Sequence, residues 1–187
     1  MPDPLLIIVT GKPGSGKTTL ARRLAADFRL PLLHKDGIKE QLFDALGWSD
    51  RAWSCKLGQA TYPLIYYFVE VQLAAGVSCI VESNFSREYA TPDFHTLQQK
   101  YHFRPFQIHC FADGETLLRR FKARAESTER HPGHVEQDNY AEFEHHLLHD
   151  VMEPIDIAGT LYPLDTNDFA TIDYKKLYAA IQEELAS

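Results

Sequence analysis

Eight residues near the start of the chain, Gly11-Lys12-Pro13-Gly14-Ser15-Gly16-Lys17-Thr18, satisfy every fixed position of G-x-x-x-x-G-K-[ST]. The chemistry of that spacing is phosphate capture. Gly11, Gly14 and Gly16 let the backbone turn and approach an anion with no Cβ in the way. The turned N–H groups point inward, and the N-terminus of the following helix adds partial positive charge. Lys17 supplies a compact cation for the β- and γ-phosphates, and Thr18 a hydroxyl ligand for magnesium. Gly11, Pro13, Gly14, Ser15, Gly16, Lys17, Thr18 and the adjoining Thr19 are therefore the expected contacts of a nucleoside triphosphate.

Such a loop needs a buried strand before it and a helix after it. Leu5 to Thr10 is short and continuously apolar, as a strand buried on both faces should be. Leu20, Leu24 and Phe28 then fall at i, i+4 and i+8, on one helix face. Further strands are expected at 31–34, 77–82, 106–111 (with Pro105 just before it) and 159–164. Helices are expected at 37–46, 61–75, 115–126, 139–151 and 174–185. The 61–75 segment is apolar almost all round, which predicts a buried helix ended by Gly76. Strands alternating with helices predict an α/β fold of three layers, a parallel sheet with helices on both faces.

Three segments together resemble the small P-loop kinases: Val9 to Ala21, His34-Lys35-Asp36-Gly37-Ile38-Lys39-Glu40, and Ile80-Val81-Glu82-Ser83-Asn84-Phe85. The group is similar to the polynucleotide 5′-kinase domain, zeta toxin and chloramphenicol phosphotransferase. The resemblance is dense to about residue 134. It implies a five-stranded sheet in the order 2-3-1-4-5, a mobile lid after strand 4, and phosphorylation of a hydroxyl group by ATP with Mg2+. It also implies roles. Asp36, directly after strand 2, would accept the proton of the attacking hydroxyl or orient that hydroxyl; the competing account is an N-cap for the next helix. Lys39 stands where polynucleotide kinases tend to carry Arg, and a Lys cannot make the bidentate fork with phosphate. Glu82 would contact magnesium or its water shell, with a longer carboxylate than the usual Asp. Asn84 would line the acceptor site.

Between residues 119 and 130 lie five basic side chains and two acidic ones. A solvated basic helix face is the ordinary account of such a run. Following strand 4 in a P-loop chain, Arg124 and Arg130 are expected instead to close over the transferring phosphoryl group, where arginines stabilise spreading charge. Arg120 is expected to contact the nucleotide. The chain thus reads as one P-loop kinase-like domain over 1–187, with a lid at about 119–138. By the same resemblance, His131-Pro132-Gly133-His134 implies a substrate-contacting or lid-ordering loop. His145 and His149 are one turn apart and could clamp a metal, but surface histidines on an acidic helix are the simpler account. Trp48, Trp53, Tyr62, Tyr66, Tyr67 and Phe68 could wall an acceptor pocket or simply pack in the core.

Composition bounds the rest. The chain has 187 residues, of which 19 are Lys or Arg and 26 Asp or Glu, a formal net charge of −7. That sign argues against a general nucleic-acid binder. Residues 1–130 carry a net +3 and residues 131–187 a net −10. Lys12, Lys17, Lys39 and the arginines at 120–130 are expected around a triphosphate, and the acidic charge of the last third mostly on helices away from it. The longest apolar run is about five residues, far from the ~20 of a membrane helix, and no secretory pattern opens the chain. Cys55, Cys79 and Cys110 are odd in number and form no CxxC, so a reducing, cytoplasmic setting is expected. The reading is an ATP- and magnesium-dependent phosphotransferase acting on a hydroxyl of a small molecule, with no membrane and no nucleic-acid partner. One alternative is an ATP-hydrolysing switch or assembly module, against which Asp36 and the aromatic segment count. The other is a nucleic-acid 5′-end kinase, against which Lys39 and the charge balance count.

Overall fold

Seven consecutive buried residues, Leu5–Gly11, form strand β1 at the centre of the sheet. A strand with no exposed face must have layers on both sides, and it does. The computed structural model describes residues 3–186. β1 is followed by α1 (Lys17–Phe28), β2 (Leu32–His34), α2 (Lys35–Leu46), α3 (Arg51–Ala74), β3 (Cys79–Ser83) and α4 (Arg87–Lys100). Then come β4 (Arg104–Phe111), α5 (Gly114–Ala125), α6 (Tyr140–His149), β5 (Thr160–Asp165) and α7 (Tyr174–Ala186). The five strands are parallel in the order β2-β3-β1-β4-β5, the order the resemblance implies.

The period-2 alternation of β1 assigns its side chains to two cores. Leu5, Ile7 and Val9 pack with Leu20 and Leu24 of α1 and with Leu177 and Ile181 of α7. Leu6 and Ile8 pack on the opposite face with Ile65 and Val69 of α3 and with Phe94 and Leu97 of α4. A third, smaller cluster joins α5 to α6 through Leu117, Phe121 and Leu147. No helix among the described residues is long and apolar enough to cross a membrane.

Several elements differ from the sequence expectations. α3 begins at Arg51, ten residues earlier than the apolar period suggested, because Asp50 caps it by accepting the Trp53 N–H at 2.8 Å. It runs through Pro63 and is not buried all round: Leu64, Tyr67 and Val71 are exposed. Helix α4 was not anticipated. Pro92 lies inside it and only Ala90, Phe94 and Leu97 are buried, so its periodic signal is weak. β4 starts at Arg104 and includes Pro105, in register with Leu6. The residues between α5 and α6 form two 3-10 turns, Pro132–His134 and Gln137–Asn139.

Phe94 is fully buried against Phe85, with ring centroids 5.3 Å apart at 78°. Phe94→Ala should lower unfolding free energy by about 3–5 kcal/mol in urea titrations; a loss below about 1 kcal/mol would mean that α4 does not pack on the sheet as described.

Candidate active site

The loop after β1 leaves no room for side chains where it turns. A Cβ on Gly11 would lie 2.4 Å from the Cys110 carbonyl oxygen. Gly14 has φ +84°, and its Cβ would meet the Leu117 carbonyl oxygen at 2.5 Å. The loop is thereby pressed between β4 and α5, and Gly16 hands the chain to α1. The Ser15 hydroxyl is buried with no hydrogen-bond partner among the described residues. Thr19, exposed, lines the same cleft beyond Thr18.

Lys17 and Thr18 meet Glu82 at the end of β3. Thr18 Oγ1 donates to Glu82 Oε2 at 2.8 Å, and Lys17 Nζ lies 3.8 Å from Glu82 Oε1. Glu82 is 2% exposed. A hydroxyl and a carboxylate brought together beside a phosphate loop are hard oxygen donors, the kind magnesium takes alongside water and phosphate. They therefore fit that ion. Among the described residues no group of three or more His, Cys, Asp or Glu side chains is arranged as a metal site, and the His145–His149 pair is no exception.

Asp36 occupies the first turn of α2, but it does not cap the helix. His34 does, its Nδ1 accepting the Gly37 N–H at 2.9 Å. The Asp36 carboxylate is left for Arg130, whose Nη1 donates to Oδ2 at 2.7 Å. Burial opposes the charge on Asp36, yet Arg130, helped by His134, Arg124 and Lys17, holds the carboxyl well below the usual range. Arg130 also donates to Glu136 at 2.6 and 2.9 Å, and Arg124 donates to Glu136 at 3.0 Å. His134 lies 3.0 Å from Glu40, and His131 stacks on Phe43 while reaching Asp44 at 3.2 Å. The 131–134 turn thus packs against α2, with only His134 lining the cavity.

Glu136 and Glu40 are site residues that the sequence reading missed. Glu136 is an exception to the expectation that the acidic last third lies mostly away from the phosphate loop: it is 7% exposed and anchors two arginines. Its signal was proximity, two residues after His134 and six after Arg130. Lys12 is a second correction. Its ammonium donates to the carbonyls of His146 at 3.0 Å, Leu147 at 3.2 Å and also Asp150, so it secures the end of α6 instead of facing a triphosphate. Arg120 donates to the Thr166 and Asn167 carbonyls at 2.7 and 2.9 Å and covers the Phe169 ring at 3.9 Å. It borders the same cleft as Gly16, Thr18 and Arg124.

Behind Asp36 lies a cavity of about 260 Å³. Of the aromatic residues at 48–68, only Tyr62 lines it. Trp53 instead donates to the Gly47 carbonyl, and Tyr66 packs on Phe94. The lining is polar. Lys35 donates to Asn84 Oδ1 at 3.2 Å, and Lys39 donates to Ser54 Oγ at 2.8 Å. Burial, with Lys35 next in effect, lowers the Lys39 ammonium to about 8.

A family profile described as an AAA domain matches residues 6–147. Among solved structures, a protein of Chloroflexus aurantiacus J-10-fl, provisionally named a kinase, is 38% identical, with a TM-score of 0.91 over 98% of this chain and 99% of that one. A sugar kinase of Janibacter sp. HTCC2649 (17% identity, TM-score 0.55, 99% and 95% covered) shares the fold. So does a gluconokinase of Sinorhizobium meliloti 1021 (13% identity, TM-score 0.55, 99% and 95% covered). No curated protein matches the chain.

The depressed Lys39 has a consequence for stability. Its value falls from 10.5 unfolded to about 8 folded, so the folded state binds fewer protons between those limits and stability rises with pH across them. Lys39→Met keeps the aliphatic stem and removes the buried charge. It should unfold at higher urea than the native chain at pH 7, with the gap narrowing above pH 8. A less stable variant whose gap ignores pH would refute this account.

Proposed function

The chain belongs to this AAA-domain family of P-loop kinase-like proteins, and from that premise we propose that it transfers the γ-phosphoryl group of ATP to a hydroxyl of a small molecule. One observation carries the reading. Lys17, Asp36, Arg124 and Arg130 line both the cleft beside the phosphate loop and the cavity behind Asp36. Two spaces meeting at one carboxylate and three cations is what a two-substrate phosphoryl transfer requires, whereas a hydrolytic switch needs only water as acceptor.

In this reading the loop amides and Lys17 hold the phosphates, with Thr19 and Arg120 bordering the nucleotide. Thr18 and Glu82 would hold magnesium, which when bound offsets charge on the phosphate oxygens. Asp36 stays ionised at neutral pH because Arg130 holds its pKa down. It is therefore a weak base, suited to accepting a hydrogen bond from the acceptor hydroxyl and orienting it in line. Arg130 engages only Oδ2, so Oδ1 is left for that hydroxyl among the described residues. As the acceptor oxygen bonds to the γ-phosphorus, the bond to the β–γ bridging oxygen breaks and ADP leaves with that oxygen. The hydroxyl proton passes to Asp36 late, when the oxygen has lost its basicity. Arg124 and Arg130 stabilise the equatorial oxygens in transit, and the segment at about 119–138 acts as the lid of a single domain. The cavity volume favours a small acceptor over a polynucleotide end.

The test is γ-labelled ATP with a panel of alcohols, sugars and nucleosides. Label should move to an acceptor, and Asp36→Asn should lower kcat at least ~100-fold while nucleotide affinity stays within about threefold. Release of free phosphate alone, at a rate no acceptor changes, would favour the switch.

A further inference from the structure

Beyond Lys17, Arg124 and Arg130, the cavity is lined by three more cations, Lys35, Lys39 and Arg51. Arg51 is matched by Glu142, at 2.6 and 3.1 Å. Lys35 and Lys39 are not: among the described residues, no carboxylate oxygen lies within ion-pair distance of either ammonium. The acidic residues lining the same cavity are already committed, Asp36 and Glu136 to Arg130 and Arg124, and Glu82 to Thr18 and Lys17. Lys39 is only 7% exposed. A buried ammonium without a counter-charge opposes folding, so a purely structural role would be better filled by an apolar side chain.

Opposite this cation, α3 lines the cavity with the small residues Ser54, Cys55 and Gly58 as well as Arg51, Gln59 and Tyr62. A Cβ on Gly58 would lie 3.6 Å from Lys39 Cε and Nζ, so the backbone itself comes close to the ammonium. Of the three donors on that ammonium, one goes to Ser54 Oγ, whose own hydroxyl donates to the His134 carbonyl at 3.3 Å. Two remain for a ligand. Asp36 and Lys39 are three residues apart in α2, which sets their Cβ atoms roughly 5–6 Å apart on one face.

We propose that the acceptor is itself an anion, a small alcohol bearing a carboxylate or a phosphate, whose hydroxyl meets Asp36 while its charged group is held by Lys39, with Lys35 alongside. This rests on the phosphotransfer reading above and narrows it to a substrate class. The anionic group supplies the charge that Lys39 lacks, and it fixes which hydroxyl of a polyol reaches the phosphorus.

The experiment uses the full chain with ATP and Mg2+ and three matched pairs: D-glycerate against glycerol, D-gluconate against D-glucitol, and D-ribose 5-phosphate against D-ribose. In at least one pair the anionic member should have a kcat/KM at least tenfold above its neutral partner, and the pair that responds separates carboxylate from phosphate. Lys39→Met should reduce that ratio at least tenfold, through KM, and Lys39→Arg should restore part of it. Calorimetric titration in the presence of ADP should show the anion, but not its neutral partner, binding the native chain. Neutral partners labelled as well as the anions, or a preference that survives Lys39→Met, would overturn the anionic acceptor and leave the phosphotransferase standing. If no compound is labelled and no anion binds while ATP is hydrolysed, both readings fall.

Discussion

The site is organised around Arg130, which bonds two carboxylates from different parts of the chain at once. Asp36 comes from α2 beside β2, and Glu136 from the turns between α5 and α6. Lys17, Arg124 and Arg130 gather where a triphosphate is expected, and like charges this close repel strongly in a partly desolvated cleft. Asp36, Glu82 and Glu136 offset them. The acid that orients the acceptor in the proposed reaction and the arginines that stabilise the phosphoryl group are therefore tied into one network before any substrate arrives. In the proposed reaction, phosphate oxygens would add to the arginines' remaining N–H groups, such as the buried Arg124 Nε that has no partner among the described residues, while Asp36 and Glu136 keep the guanidiniums in place.

The fold supplies this network with fixed points. β1 is held on both edges and both faces, so the phosphate loop that follows starts from a rigid position. α5 backs that loop through the Leu117 carbonyl, and Lys12 reaches from the loop to the end of α6. α6 is also pinned to α3 by Arg51 and Glu142, with Arg51 lying 4.9 Å from the Phe143 ring. On the α2 side, the 131–134 turn rests on Phe43: a Cβ on Gly133 would meet that ring at 2.7 Å. The segment from α5 to α6 is thus tethered at the loop, at α3 and at α2, and Arg124 and Arg130 lie between those tethers.

Local patterns were readable from sequence where one element carries the signal. The phosphate loop, the alternation of strands and helices, and the cationic face of α5 are of that kind, and the resemblance supplied the sheet order. Pairings between distant elements were not readable. Nothing near Lys12 in the chain says that it meets carbonyls more than 130 residues away, and nothing near Asp36 marks Arg130. Helix α4 escaped because few of its side chains are buried, and the early turns of α3 escaped because polar residues face the cavity there. The charge split put Lys17, Arg120, Arg124 and Arg130 in the basic part, and these do line one cleft. It was silent about Glu136, because a carboxylate paired with Arg124 and Arg130 still counts toward the acidic last third.

Lys39 is where local stability and the rest of the structure disagree, and such disagreements collect at functional positions. By sequence it stood against a phosphorylated acceptor, because lysine lacks the bidentate fork of arginine. The structure changes the weight of that argument. Ser54 and Gly58 lie beside the Lys39 ammonium, and one of its three donors is already taken. A guanidinium with five donors would find too few partners there, and its unmet donors would be costly to bury. A compact ammonium with two free donors suits a single anionic oxygen, whether it belongs to a carboxylate or a phosphate. In the proposed reaction, the choice of lysine therefore does not count against a phosphorylated acceptor.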